Sequence, residues 1–367
     1  MKKLIIAIFL ITNLVVQSQA GNNSRQVVVP GIVMKQIYEE IKTPFKYGLV
    51  MVPPNDSKKM DCPSIFRKEN KWIMYYLIFD GRGYETWLAE SDDLLHWKNQ
   101  GRILSFSVDT TRWDWNQKAG YISLQDTKWG GSYQLSTYDG KYWMSYIGGH
   151  TKGYEAGLLS IGIAYTEKDP ATVHEWNYLS RPVLSSTDKD VRWWENHTQY
   201  KSTIIRDKQR LTGHDFVMFY NANGDSLNAK RGAERIGMAV SDDMTHWKRF
   251  MKDPVINHHK GISGDAYLQK MGKVWTMFYF GAFWSPEKSN AFNRFACSYD
   301  LVHWTDWDGP DLITPSEPYD ETFAHKSFVI KWKGVVYHFY CAVNKKQQRG
   351  IAVATSTDLG KSEMSFY

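Results

Sequence analysis

Short apolar runs rich in aromatic and β-branched residues recur along the chain, with polar turn residues between them. Examples are KWIMYYLIF at residues 71–79, DFVMFYNAN at 215–223 and VVYHFYCAV at 335–343. Runs of this length and composition predict β-strands. One segment differs, because Ile32, Val33, Ile37 and Ile41 follow helical spacing and predict a short helix before the first strands.

A longer pattern, Ala-x-Ser-x-Asp-(Leu/Met)-x-His-Trp, repeats along the chain. It reads AESDDLLHW at residues 89–97, AVSDDMTHW at 239–247 and ACSYDLVHW at 296–304. A looser copy occupies residues 164–176, and a truncated copy occupies 354–359. Repetition at this scale indicates an architecture built from equivalent units.

Each repeat contains the same order of predicted strands. The first strands are expected at residues 61–66, 130–135, 200–205, 264–269 and 325–330, and an aromatic strand and the repeated motif follow. Four strands in each of five repeats predict an all-β fold, a five-bladed β-propeller with four-stranded antiparallel blades and a short N-terminal helical segment. The Ser and Asp of the motif are expected to bond the backbone of their own turn, so His96, His246 and His303 are assigned to structure.

The N-terminus has the features of an export signal. Lys2 and Lys3 precede an apolar run at residues 4–16, and Ala20 ends a stretch suited to cleavage. The predicted organisation is a signal peptide at 1–20, an N-terminal segment with a short helix at 21–60 and a propeller at 61–367. We therefore expect a secreted or periplasmic protein without a membrane span.

Composition narrows the expected ligands. Aromatic residues make up 15% of the chain, which suits a site that stacks on sugar rings. The net charge of +6 is spread along the sequence without a long basic run, so no nucleic-acid partner is expected.

The predicted blades bring charged side chains to one face. The starts of the first strands and the loops between second and third strands meet there, and these positions are rich in Asp, Glu, His, Lys, Arg and Trp. Several carboxylates among aromatic walls are what glycosidic bond cleavage requires, since one carboxylic acid protonates the leaving oxygen and a second carboxylate activates water or attacks carbon.

The first blade opens with Asp61-Cys62-Pro63-Ser64-Ile65, which resembles the first blade of glycoside hydrolase family 43 and related arabinanase- and invertase-like enzymes. The repeated Ser-x-Asp-Leu-x-His-Trp resembles the same group, and the resemblance covers residues 61–358. It implies a first-blade Asp as general base, a Glu on a later blade as general acid and a further Asp that tunes the acid.

The resemblance assigns the base to Asp61, whose structural alternative is a turn-capping Asp. The group's fourth-blade acid is a Glu before Gly-Pro, but this chain has Gly264-Asp265-Ala266 there. Asp265 is the carboxylate at that strand start, and Glu195 stands between tryptophans and His197 on the third blade. The predicted catalytic residues are therefore Asp61, Glu195 and Asp265, although Asp265 and Glu195 could instead be ordinary loop carboxylates.

A larger set is predicted to bind substrate: Arg82, Trp129, Glu155, His197, Lys201, Glu234, Trp284, His325 and Lys326. Glu155, Glu234 and Glu85 are also alternative acids, unless their repeated placement reflects a structural pairing. The histidines would donate to sugar hydroxyls or a uronate, or be satisfied within the core.

The favoured function is an exported, exo-acting and inverting glycosidase that removes a terminal sugar from plant or algal glycans. A non-catalytic carbohydrate-binding propeller and a protein-interaction platform are the alternatives. No cofactor is required, although relatives sometimes hold a channel cation, so a cation such as calcium is allowed here.

Overall fold

The computed structural model describes residues 27–224 and 232–367. The predicted signal peptide lies outside the described residues. Helix α1 (Gly31–Ile41) forms where the helical spacing predicted it and buries Met34, Ile37 and Ile41. None of the helices in the described ranges combines the length and the apolar character needed to cross a membrane.

The remaining architecture consists of four-stranded antiparallel blades, as predicted. The first two are β2 (Lys59–Lys68), β3 (Lys71–Phe79), β4 (Tyr84–Ser91) and β5 (Lys98–Leu104), then β6 (Gln117–Ile122), β7 (Tyr142–Gly149), β8 (Leu159–Thr166) and β9 (Asn177–Tyr178). The next two are β10 (Thr198–Arg206), β11 (Phe216–Asn223), β12 (Glu234–Ser241) and β13 (Lys248–Arg249), then β14 (Ile262–Met271), β15 (Val274–Ala282), β16 (Ala291–Ser298) and β17 (Thr305–Asp306).

The blade at the C-terminal end takes its outer strand from the other end of the chain. It contains β18 (Phe323–Trp332), β19 (Val335–Val343) and β20 (Arg349–Thr355), and β1 (Phe45–Met51) pairs antiparallel with β20. The segment assigned to residues 21–60 therefore contributes a strand to the sheet, which the division at residue 61 did not foresee. The sequence near residue 359 has no pattern that predicts a fourth strand for this blade. The N-terminal strand β1 takes the fourth position.

The second blade corrects one predicted strand. Residues 130–135 were expected to form its first strand, but β6 (Gln117–Ile122) pairs with β7 instead. All six residues of β6 are buried, whereas Gly130 is exposed with a φ of 65°. The glycines and polar residues of 130–135 suit the connection in which they lie.

The repeated motif forms a hydrogen-bonded turn, so its structural assignment is confirmed. In the 239–247 copy, Ser241 Oγ accepts from the backbone N–H groups of Asp243 and Met244. Asp243 Oδ1 accepts from the N–H of His246, and Trp247 Nε1 donates to the carbonyl of Met244. The copy around Asp93 repeats these bonds, and the copy around Asp300 repeats those donated by the N–H groups of Asp300 and His303 and by Trp304 Nε1.

A β-bulge interrupts the first strand of several blades at equivalent positions. The register shifts lie between Asp61 and Ser64, Gln199 and Ser202, Gly264 and Tyr267, and His325 and Phe328. Cys62, Asp265 and Lys326 occupy the same place in this register, with φ values of 49°, 58° and 63°. Bulges bend a strand and redirect side chains, and these lie where the first strands meet.

Candidate active site

A cavity opens where the first strands begin, and its volume is about 170 Å³. Its walls come from the bulges and from the ends of the second and third strands. Single parallel pairs, Glu234 with Ile262 and Ala291 with Phe323, join neighbouring blades at its edge. The polar and aromatic lining consists of Cys62, Tyr84, Tyr121, Tyr154, Glu155, Tyr200, Lys201, Asn221, Glu234, Asp265, Phe280, Phe283, Phe323, His325, Lys326 and Arg349.

Asp61 lies beneath this lining rather than in it. Its carboxylate is completely buried, and its Oδ2 accepts from Lys326 Nζ at 2.8 Å, Tyr84 Oη at 3.0 Å and Arg349 Nη1 at 3.1 Å. Burial alone raises the pKa of Asp61, but Lys326 and Arg349 outweigh it and hold the pKa far below its usual range. Asp61 is therefore an ionised counter-charge under the cavity floor.

The two cations that cover Asp61 do line the cavity. Burial favours the neutral amine of Lys326, yet the Asp61 carboxylate keeps the pKa of that amine well above its ordinary value. Arg349 Nη1 also donates to Tyr154 Oη at 2.6 Å, and the guanidinium lies over the Tyr154 ring. The network thus fixes Tyr154, the neighbour of Glu155 in the chain.

Glu155 has the opposite electrostatic setting to Asp61. It is half-buried in the cavity wall with a φ of 46°. Burial raises the pKa of Glu155, and the negative charges of Asp61 and Asp265 add to the rise against the attraction of Lys326 and Arg349. A carboxyl group with a raised pKa is suited to donate a proton.

Two further carboxylates complete the cavity. Asp265 is buried, with Lys201 Nζ 3.9 Å and Cys62 Sγ 3.6 Å from its Oδ2. Glu234 is also buried, and its Oε2 lies 3.4 Å from Asn221 Nδ2. The cavity therefore presents carboxyl groups from three blades.

His325 lines the cavity as a neutral imidazole. Burial lowers the pKa of His325 to about 3, and the adjacent Lys326 contributes to the effect. Its Nδ1–H donates to the carbonyl oxygen of Cys341 at 3.1 Å. A neutral ring with the other nitrogen as an acceptor can orient a sugar hydroxyl.

Glu195 does not belong to this site, which corrects the prediction for it. Its carboxylate is buried in the third blade, where Oε1 accepts from Arg249 Nε at 2.5 Å and Oε2 accepts from Tyr220 Oη at 2.8 Å. Arg249 also bonds Asp188 and Asp190. The tryptophans before Glu195 in the sequence suggested a desolvated carboxyl group. The carboxylate is buried, but Arg249 and Tyr220 donate hydrogen bonds to it.

Four predicted substrate-binding residues are not among those that line the cavity. Arg82 bonds Asn116, and Trp129 packs near α1, where its Nε1 donates to Glu40. Trp284 stacks on His258 with a centroid distance of 3.6 Å, while His197 stands outside the lining. Trp129 was assigned to this face because residues 130–135 were wrongly predicted to form the first strand of the second blade. The positions of Arg82, Trp284 and His197 depend on the shapes of their loops.

The structure also adds residues that sequence reasoning did not select. Tyr84, Tyr121, Tyr154 and Arg349 enter the cavity from second-to-third connections or neighbouring strands. Arg349 and Tyr154 stood at the ends of loops already assigned to this face, so loop position was the available signal. Tyr121 had no such signal in the sequence, because it lies in β6, which was not predicted as a strand.

A channel cation stays a prediction. Within residues 27–224 and 232–367, His, Cys, Asp and Glu side chains do not gather in groups of three or more suited to a metal ion. Lys201 pairs with Asp265 in the cavity wall, and Lys326 and Arg349 pair with Asp61 beneath it.

Comparisons with known proteins identify the class to which this fold and cavity belong. BT0996, solved as a complex with RGII, is 54% identical with a TM-score of 0.88, over 92% of this chain and 98% of that one. A protein solved under the name glycoside hydrolase is 53% identical with a TM-score of 0.89, over 92% and 99%.

A thermostable family-43 glycoside hydrolase shares the fold at 15% identity and a TM-score of 0.56, over 86% of this chain and 96% of that one. No protein-family model and no curated protein matches the chain. The fold and cavity define a propeller-type glycosidase. The chain belongs to the glycoside hydrolases.

Proposed function

We propose that the chain cleaves a glycosidic bond at this cavity, with Glu155 as the general acid. The raised pKa of Glu155 carries the proposal, because a carboxyl group must be protonated near neutral pH to donate to a leaving oxygen. After burial, the negative charges of Asp61 and Asp265 contribute further to the rise in the pKa of Glu155. Two carboxyl groups whose environments shift their pKa values in opposite directions are candidates for the acid and the base of a reaction.

Glu234 is the proposed second carboxylate. It lines the cavity from the start of β12, and Glu155 lines it from the connection between β7 and β8. Asp61 is less suited to this role, because the residue is fully buried and its Oδ2 already accepts from three donors. We assign Asp61 to positioning Lys326 and Arg349, and Asp265 to tuning Glu155 and contacting sugar.

The size of the cavity supports exo action. A volume of about 170 Å³ is below the roughly 300–1,000 Å³ of sites for drug-sized ligands, which suits one terminal sugar. BT0996 was solved as a complex with RGII, so RGII-derived oligosaccharides are the first substrates to test. From the resemblance to family 43, we propose that the enzyme inverts the configuration at the anomeric carbon. Proton NMR of the anomer that forms first tests this.

The remaining architectural and cellular assignments are part of the same proposal. β2 contacts β18 and β20 on one side and β6 on the other, which supports closure into a five-bladed ring. Export follows from the leader-like residues 1–20. Mass spectrometry of the N-terminus of protein expressed in its natural host tests the cleavage.

The experiment incubates the full chain with RGII-derived oligosaccharides and follows released sugar. Wild-type protein should release a monosaccharide, and Glu155→Gln and Glu234→Gln should each release far less. The carboxylate assignment is wrong if both folded variants retain wild-type turnover.

A further inference from the structure

A second cavity lies on the face opposite the catalytic one. It occupies about 600 Å³ and is lined by the 125–136 connection, the turn after β10 and the turn after β14. Lys201 lines the catalytic cavity near the start of β10, and Arg206 lines the second cavity at the strand's end. Five residues of extended strand separate the two by about 17 Å.

The side chains of this groove favour an anion. Lys128, Arg206, Lys208 and Lys270 contribute four positive charges, whereas Asp126 and Asp207 contribute two negative ones. Asp126 is occupied by its own loop, since Oδ2 accepts from the N–H and Oγ of Ser132. Local excess of one charge in a concave surface concentrates ligands of opposite sign.

The groove also offers hydroxyl-binding groups. Asp207 is buried, and its Oδ2 accepts from the N–H and Oγ1 of Thr212. Within the described part of the chain, its buried Oδ1 accepts no hydrogen bond. Thr127, Ser132 and Gln134 add neutral polar groups to the same lining. Such a mixture of cations with hydrogen-bonding groups fits a sugar that carries an acidic substituent.

We propose that this groove is a second saccharide-binding site for an anionic glycan, in which Arg206 and Lys208 hold carboxylate or sulfate groups and Asp207 takes a hydroxyl. The inference rests on a polysaccharide as the natural substrate. Binding there would keep the enzyme on its polymer between cleavage events, because a second attachment raises the effective concentration of chain ends.

Isothermal titration of the full chain carrying Glu155→Gln tests the site. The probes are a hexamer of galacturonic acid, a sulfated galactan hexamer and a neutral cellohexaose. We expect at least one anionic probe to bind, with Arg206→Ala/Lys208→Ala weakening it at least tenfold and added salt weakening it further. A carboxylate-only or sulfate-only response identifies which acidic group is recognised.

Lys98→Ala/Lys248→Ala is the matched control, because both lysines are exposed and lie outside the groove. The proposal is wrong if neither anionic probe binds, if cellohexaose binds as tightly, or if the control pair weakens binding equally. Hydrolysis of short substrates by Arg206→Ala/Lys208→Ala should stay at the wild-type rate, so failure of this site and failure of the proposed catalysis are distinguished.

Discussion

Lys326 Nζ donates to Asp61 Oδ2 at 2.8 Å across 265 residues of sequence, where Lys326 lines the proposed catalytic cavity and Asp61 is buried beneath it. Lys326 comes from the bulge of β18, and Asp61 stands beside the bulge of β2. The contact joins the first and last blades at the place where sugar is expected to bind. It makes Asp61 part of the framework of the site.

Asp61→Asn should weaken the fold and make it less sensitive to acid. Because the folded pKa of Asp61 is depressed, its ionised form stabilises the protein above the unfolded value of about 3.9, and that contribution is lost as pH falls. Thermal melting of wild type and Asp61→Asn from pH 7 to pH 3 measures the effect. If the melting temperatures of wild type and Asp61→Asn fall by the same amount between pH 7 and pH 3, the assignment is contradicted.

Glu155→Gln should lower kcat by about 10²–10⁴-fold on natural glycans, the usual loss for a general acid. An aryl glycoside with an acidic leaving group should suffer much less, since its departure needs little protonation. Glu85→Gln is the control, because Glu85 is a buried glutamate of β4 that pairs with Arg102 outside the cavity. Equal losses on both substrates would exclude the acid role.

The pH dependence of turnover should follow the same group. Because the pKa of Glu155 is raised, the protonated acid persists to higher pH than for an ordinary Glu, and kcat/KM should fall as pH rises through that pKa. Removing the negative charge of Asp265 with Asp265→Asn should shift this alkaline limb to lower pH. A limb unchanged in Asp265→Asn would contradict the electrostatic coupling.

Arg249→Met should destabilise the protein by about 3–5 kcal/mol, because it leaves the buried Glu195 carboxylate without its cation. Glu195→Gln/Arg249→Met should be less destabilised than the sum of the single changes. Chemical denaturation measures these values. Activity per folded molecule should stay near wild type, and loss of turnover in a fully folded Glu195→Gln would restore Glu195 to the catalytic set.

Leu49→Ala should cost about 2–5 kcal/mol of unfolding free energy, since Leu49 is buried in the strand that completes the last blade. Phe45→Ala at the exposed start of the same strand is the control and should cost far less. Similar destabilisation by both changes would argue against tight docking of β1.

Local patterns predicted much of the fold. The aromatic runs marked most strands, and the spacing of Ile32, Val33, Ile37 and Ile41 marked α1. The Ser-x-Asp motif set the phase of each repeat, because its hydrogen bonds close within one short turn. These features depend on neighbours in sequence, so sequence alone determined them.

The composition of the site depended on tertiary structure. Asp61 and Asp265 both stand at predicted first-strand starts, and the bulges place Asp265 in register with Cys62, one residue beyond Asp61. Lys326 and Arg349 then bury one carboxylate, while Asp265 lines the cavity with Glu155. Proximity, burial and charge balance between distant segments set those roles, and these arise only when the blades pack together.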